Sequence, residues 1–268
     1  MSEIALREEI ASHLWYHTME LAPGVVTPGW FDLRPVVDRM PWPDVRGKRC
    51  LDVGTYDGFL AFELERRGAA EIVAIDIDDH SKWDWPPDAR ARGGKGLAEL
   101  AGPEKGRGFR IAAAALQSRV DRRPLSVYDL SPDALGTFDV VVCGSLLLHL
   151  RDPQRALEAI RTVTKESFLS SEQIHLSLST IHRRQPILVM NGSGVRCQWI
   201  TPTVAGHRRM IFAAGFAIER GTRPYSIPYG PGHRHTWKGR RLRRDFLERM
   251  LTGNVGVPHA AVLARPRV

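Results

Sequence analysis

Little cysteine, no long apolar stretch and two glycines missing from one turn bound what this sequence can be. Its three cysteines, Cys50, Cys143 and Cys197, are widely spaced, which excludes a disulfide framework and zinc-type spacing, and no metal site is expected. Cys50 and Cys143 sit in apolar, strand-like runs, where a small buried thiol is common. No run of eighteen or more apolar residues occurs. The N-terminus, MSEIALREEIASHLW, is amphipathic and charged rather than a basic tip leading into an apolar region, so a soluble, unexported, cytoplasmic protein without a membrane partner is expected. Internal repeats and low-complexity segments are also lacking.

What is present is a chain of 268 residues, 43% of them hydrophobic, enough for one large α/β domain with additions. The formal net charge of +8 favours an anionic partner, whether nucleic acid, a phosphorylated metabolite or a carboxylate. Strands and helices alternate from about Lys48 to Thr164, the pattern of a parallel sheet covered on both faces. RCLDVG (49–54) reads as a first strand, 57–67 as a helix stopped by Gly68, EIVAID (71–76) as a second strand, and PLSVYDL (124–130) as a third. FDVVVCGSLLL (138–148) is a fourth, Val-rich as a strand buried on both faces should be. Asp152 then caps a helix with Pro153 at its first position and Ala156, Leu157, Ile160 and Val163 at helical spacing. SFLSSEQIHL (167–176) is the fifth strand. An insertion over one sheet edge is expected at about 177–200, a helix from Thr203 to Gly215, and two closing strands, 216–227 and 256–265, that return antiparallel around a second insertion at about 228–252.

The turn in LDVGTYDGFLAFELERRGA (51–69) carries the chemistry. A strand runs through a glycine turn into a helix, but Tyr56 and Phe59 stand where a dinucleotide fingerprint needs its second and third glycines. Asp57 at the helix start would repel a diphosphate and suits a ligand that brings positive charge or only hydroxyls and an amine. Asp76, ending the second strand, is placed to accept hydrogen bonds from ribose hydroxyls. A nucleoside without phosphate fits both; the bland reading is that Asp76 and Asp129 only cap helices or loops.

These residues resemble the class I S-adenosylmethionine-dependent methyltransferases over roughly 48–165, whose first motif, acid-x-Gly-x-x-x-Gly, is met by Asp52, Gly54 and Gly58. The resemblance implies a doubly wound, seven-stranded, mainly parallel α/β sheet spanning 48–268, with residues 1–47 as an N-terminal lid and a C-terminal insertion over the acceptor site. It also implies that Gly54, Thr55, Tyr56 and Gly58 lie along the methionine part of the cofactor and that Asp52 helps hold its amino group. Asp76 and Ile77 would take the ribose, Asp129 and Leu130 the adenine, and Cys143, Gly144 and Ser145 would stand beside the reacting centre. LWYHTMEL, TPGWFDLRP, VVCGSLLLHLRDPQRALEAIR and CQWITPTVAGHRRMIFAAGF resemble a narrower group, the proteins related to the tRNA wobble-uridine carboxymethyltransferase. That enzyme's carboxylated cofactor calls for a lysine and a tyrosine where this chain has His17 and Leu148. A leucine cannot donate to a carboxylate, so ordinary S-adenosylmethionine is the expected donor.

For the acceptor, His149 is the first base candidate, at the end of the fourth strand with an imidazole suited to neutral pH; it equally fits a capping role in the turn before Asp152. His17, beside Trp15, Tyr16, Trp30 and Phe31, either closes a water-poor pocket or packs on the sheet edge. Trp83 and Trp85 pose the same choice near adenine. Glu172 is, with His17, a further catalytic candidate, and His175 joins Tyr16 and Trp30 as a candidate for the substrate side. Both lie late in the fifth strand, near the active-site side, where alternation prevents assigning both to one face. Trp199 and His207 flank a later helix start and either line the acceptor pocket or pack. The basic stretch from His233 to Arg244 reads as an RNA surface, a solvated loop or a clamp for an acidic molecule. The expected function is methylation of a small molecule at oxygen or nitrogen. A tRNA acceptor and an inactive cofactor-binding partner protein are the alternatives.

Overall fold

The computed structural model describes residues 2–93, 106–192, 198–233 and 248–267. Cys197, the basic residues 234–244 and most of the expected second insertion lie outside the described residues.

In chain order the elements are α1 (Glu3–Ala11), β1 (Glu20–Ala22), β2 (Val25–Val26), β3 (Arg49–Val53), α2 (Phe59–Arg66), β4 (Glu71–Asp76), α3 (Pro87–Arg90), α4 (Arg107–Leu116) and β5 (Asp121–Pro124). There follow α5 (Pro132–Leu135), β6 (Phe138–Gly144), α6 (Pro153–Val163), β7 (Thr164–Gln173), α7 (Leu176–Ile181), β8 (Leu188–Met190) and β9 (Ile200–Pro202). The last described elements with regular pairing or packing are α8 (Val204–Ala213), β10 (Phe216–Gly221), β11 (Tyr225–Pro228) and β12 (Gly256–Pro266).

The main sheet runs β10-β12-β7-β6-β3-β4-β5. From β7 to β5 every pair is parallel, and β12 runs antiparallel to β7, β10 and β11. The doubly wound class expected from sequence holds, with one strand more than the seven anticipated. The single strand expected over 216–227 breaks around Pro224, which has no N–H to give a ladder. Its halves pair with successive parts of β12: β10 opposite 262–266 and β11 opposite 256–259.

Because strand side chains alternate, Cys50 joins one core and Leu51 and Val53 the other. The first core holds residues of α1, α2, α4 and the N-terminal segment; the second holds α6 and α8. The apolar stripe read in α6, Ala156, Leu157, Ile160 and Val163, is its buried face, and the Asp152 carboxylate caps it by accepting from the Arg155 N–H. The third strand lies earlier than expected, over a mostly exposed Asp-Arg-Arg-Pro stretch. As a sheet edge it needs no apolar face; the apolar run after it coils into a 3-10 turn, Val127–Asp129, that buries Val127 and Leu130. Among the described residues no helix is long and apolar enough to cross a membrane.

Candidate active site

Strand order reverses between β3 and β6, and in open α/β sheets ligands bind beyond the carboxyl ends of the strands at such a point. The turn leaving β3 is built for close approach. Gly54 adopts φ +80°, and a Cβ there would stand 3.1 Å from the Leu146 side chain. The Gly54 and Thr55 N–H groups donate to the Ile75 carbonyl. Tyr56 is left-handed too, at φ +48°, held by its N–H donating to Asp76 Oδ2 at 2.7 Å, while Asp76 Oδ1 accepts from the Ile77 N–H at 2.7 Å. The helix begins at Phe59 rather than Asp57, after Gly58 at φ +95°, where a Cβ would meet the Phe62 ring at 2.5 Å.

Asp57 has a different task from the one expected. It is buried, and its Oδ2 accepts from the backbone N–H groups of Tyr16 at 2.6 Å and His17 at 3.1 Å, with the His13 and His17 rings at 4.0 Å from its carboxylate. It ties the N-terminal segment to the turn. That segment is held further by bridges from His17 to Phe31 and from Phe31 to Tyr229. Asp57→Ala strips the acceptor from one buried and one part-buried amide, at a cost of about 2–3 kcal/mol. Limited proteolysis should then cut between residues 12 and 32 at a protease concentration that leaves the wild type intact.

Asp52 is a buried acid that the fold satisfies poorly. Only 1% exposed, it makes no well-formed hydrogen bond through either carboxylate oxygen, its nearest donors being the Thr55 hydroxyl, itself buried and without a well-formed bond, and the Ala61 N–H. Burial lifts the Asp52 carboxyl from 3.8 to about 7, with the Asp76 charge adding to the rise and Thr55 and the Ala61 backbone opposing it. A buried acid beside a glycine turn suits an ammonium group. The residues present therefore fit S-adenosylmethionine, whose methionine end carries one.

At the end of β6, Cys143 is buried in the α6-side core with its thiol pushed well up by burial. Its side chain is thus core, and only its backbone is left for a ligand. A Cβ on Gly144 would meet Leu60 at 2.7 Å. Ser145 is left-handed, φ +52°. Glu172, a catalytic candidate from sequence, is fully buried under the next turn: it accepts from the N–H groups of Leu146, Leu147 and Leu148 at 2.8, 3.1 and 3.4 Å. Burial raises its carboxyl to about 7 against the pull of those three bonds. His149 closes that 3-10 turn, half-buried.

Over the turn, Tyr16 packs 4.8 Å from Tyr56 and 5.0 Å from Phe31, with the more exposed Trp30 ring at 6.3 Å. Burial first, then the charges of Glu172 and Asp57, raise the Tyr16 hydroxyl above its ordinary value. Trp83 and Trp85 stack at 5.3 Å beyond β4. Asp129 is exposed on its turn, while Leu130 belongs to the α6-side core.

Three expected acceptor residues are used for building. His207 is wholly buried, its Nε2 2.9 Å from Ser170 Oγ, and burial depresses it to about 3. His175 caps α7 through Nδ1, which accepts from the Leu178 N–H. Trp199 pins the insertion: its Nε1 donates to the Asp84 carbonyl at 2.5 Å and its backbone N–H to the Leu148 carbonyl at 2.7 Å. Sequence reasoning missed His259, whose Nε2 lies 2.8 Å from Ser145 Oγ. Its one signal was a histidine set in the otherwise apolar GVPHAAVLAR run.

Comparison with known proteins accords with this geometry. The family model described as a methyltransferase domain matches residues 32–249. The chain is 28% identical over 188 residues to the ubiquinone biosynthesis O-methyltransferase of Acinetobacter baumannii (strain AYE), a match covering 68% of this chain and 63% of that protein. It thus spans less than two thirds of that relative's length. A relative of the same name from Acinetobacter baylyi is 27% identical over 254 residues, 88% of each chain. Among solved structures, the N-terminal domain of EvdMO1, in the presence of SAH and D-fucose, superposes with a TM-score of 0.57 at 16% identity over 100% of this chain and 98% of that one. With a glycine turn over a buried, poorly satisfied Asp52 at the sheet's switch point and a family match over most of its length, the chain belongs to the methyltransferase-domain family, the class I kind that uses S-adenosylmethionine.

Proposed function

We propose that this protein transfers the methyl group of S-adenosylmethionine to a hydroxyl oxygen of a small molecule in the cytoplasm. The observation that carries the cofactor part is the buried Asp52 carboxylate, which has no well-formed hydrogen bond of its own. Support for oxygen comes from the relatives named ubiquinone biosynthesis O-methyltransferase. In this reading Asp52 and Thr55 receive the methionine end along Gly54, Tyr56 and Gly58. Asp76 and Ile77 take the ribose, and Asp129 and Leu130 border the adenine. The backbone of Cys143 and Gly144, with Ser145, stands beside the acceptor. Residues 1–47 form the lid, with Tyr16, His17 and Trp30 over the site and Asp57 as its tether. His149 stays on the acceptor side, and Glu172 acts by holding the Leu146–Leu148 turn.

The cofactor supplies a methyl group already activated on a sulfonium, so the chain's work is to align the acceptor and exclude water, and alignment alone is worth roughly 7–11 kcal/mol. The wobble-uridine reading with tRNA as partner draws on the basic residues 234–244, which lie outside the described residues. One experiment separates these readings: incubation with methyl-labelled S-adenosylmethionine and separate pools of small metabolites and tRNA. Label should appear as a methyl ether in the small-molecule pool. Label in tRNA alone would replace this reading with the tRNA one, and binding without label in any pool would leave a cofactor-binding partner protein.

A further inference from the structure

Among the described residues, three that are not glycine have positive φ: Tyr56, Gln117 and Ser145. Gln117 closes helix α4, an ordinary place for a left-handed residue. Tyr56 and Ser145 follow β3 and β6, on the two sides of the switch point. A serine held in this region carries strain that its surroundings must enforce. Here they do so from three directions. Its N–H donates to the Ser171 carbonyl at 2.8 Å, the next two amides are held by Glu172, and its hydroxyl lies 2.8 Å from His259 Nε2.

His259 arrives from β12, buried, paired opposite Gln173 at the carboxyl end of β7 and stacked on Tyr225. Its Nδ1 is 2.8 Å from the Val257 carbonyl, which can only accept, so Nδ1 carries the ring proton and Nε2 presents its lone pair. The Ser145 hydroxyl therefore donates inward to His259 and keeps its oxygen lone pairs for a donor outside. Ser145 immediately precedes Leu146, whose side chain covers Gly54 of the cofactor turn.

We propose that Ser145 is a catalytic residue that accepts the proton of the acceptor hydroxyl, with His259 as the positioning residue that takes Ser145's own proton. This rests on the oxygen-methylation reading. The acceptor oxygen forms its bond to the methyl carbon as the carbon–sulfur bond breaks, and that electron pair stays on sulfur. The acceptor's proton passes to Ser145 Oγ and the Ser145 proton to His259 Nε2. The positive charge that entered on sulfur ends on the imidazolium, which returns its proton to water after product leaves. Burial depresses the His259 imidazole to about 4, so it is neutral and able to accept at physiological pH. So weak a base suffices because the proton on an oxygen becomes strongly acidic as that oxygen is alkylated.

Two measurements test this. In protein carrying nitrogen-15 histidine, His259 should show a protonated Nδ1 and a bare Nε2, and Ser145→Ala should shift the Nε2 resonance. A protonated Nε2 in the resting protein overturns the proposal without any substrate. For turnover, catechol, 3,4-dihydroxybenzoate and the metabolite pool serve as oxygen acceptors. His259→Gln keeps an oxygen for the Ser145 hydroxyl but has no basicity, so a merely structural contact predicts wild-type kcat. The proton path predicts kcat about 100-fold lower in both His259→Gln and Ser145→Ala, with the acceptor KM and the calorimetric Kd for S-adenosylmethionine within threefold of wild type. If the wild type forms methyl ether and either variant forms it equally fast, the proposal alone fails. If the wild type binds the cofactor and forms no methyl ether, the oxygen-methylation reading fails and the proposal falls with it.

Discussion

Asp52→Asn should give a protein that is harder to unfold than the wild type at pH 8 and that binds S-adenosylmethionine at least about 30-fold less tightly, a loss of roughly 2 kcal/mol. Both effects come from one buried carboxylate with no well-formed hydrogen bond. Its rise from 3.8 to about 7 corresponds to about 4 kcal/mol of native-state cost once the group is ionised, at 1.36 kcal/mol per unit. The sign follows from proton counting. Between the unfolded value near 3.8 and the folded value near 7, the native protein holds a proton that the unfolded chain has released. Stability therefore falls as pH rises through that window. Asp52→Asn removes this part of the fall; the part due to Glu172, also raised to about 7, remains. Urea unfolding of both proteins at pH 5 and pH 8 checks it, and the variant should gain about 2 kcal/mol or more at the higher pH, after the cost of burying an amide.

The same proton couples to the ligand. An ammonium beside Asp52 lowers its carboxyl, so binding expels a proton and cofactor affinity climbs as pH rises from 5 to 7. Calorimetry in buffers of different ionisation enthalpy reads the released proton directly. An Asp52→Asn protein that binds as tightly as the wild type would remove the basis for placing the methionine end at Asp52.

Glu172→Leu should destabilise the protein by about 3 kcal/mol and abolish turnover, because three amides of the Leu146–Leu148 turn lose their shared acceptor in a buried place. Glu172→Gln keeps one acceptor oxygen but aims an amide donor at amide donors, and should cost about 1–2 kcal/mol. Hydrogen exchange gives the local readout: the amides of Leu146, Leu147 and Leu148 should lose protection in Glu172→Leu while those of β3 keep theirs. Unchanged protection at the three amides would show that the turn holds itself and that Glu172 only fills space.

The sheet was legible in the sequence because periodicity and caps report on local structure. The second strand and the helix capped by Asp152 lie where the apolar pattern puts them. Expectations failed where tertiary contact decides. The LSVYDL run looks like a strand, yet it buries Val127 and Leu130 from a turn, and the strand beside it is polar because a sheet edge tolerates that. Of the site, the turn around Gly54 and the pair Asp52 and Asp76 could be read from strand ends alone. The tasks of Asp57 and Glu172 could not, because both spend their oxygens on backbone amides 24 to 41 residues away. Ser145 and His259 are 114 residues apart, and only the antiparallel return of β12 brings them together.

That return has a consequence for synthesis. β12 separates β7 from β10 and also carries β11, yet it leaves the ribosome after every other strand of the sheet. Until it emerges, β7 and β10 both show unpaired edges, the kind of surface on which nascent chains join one another. The β3–β4 half can meanwhile pair and bury its core. Ribosome-stalled chains ending before residue 256 should therefore protect β3 and β4 from proteolysis and aggregate through β7, and the histidine behind Ser145 is among the last side chains to be installed.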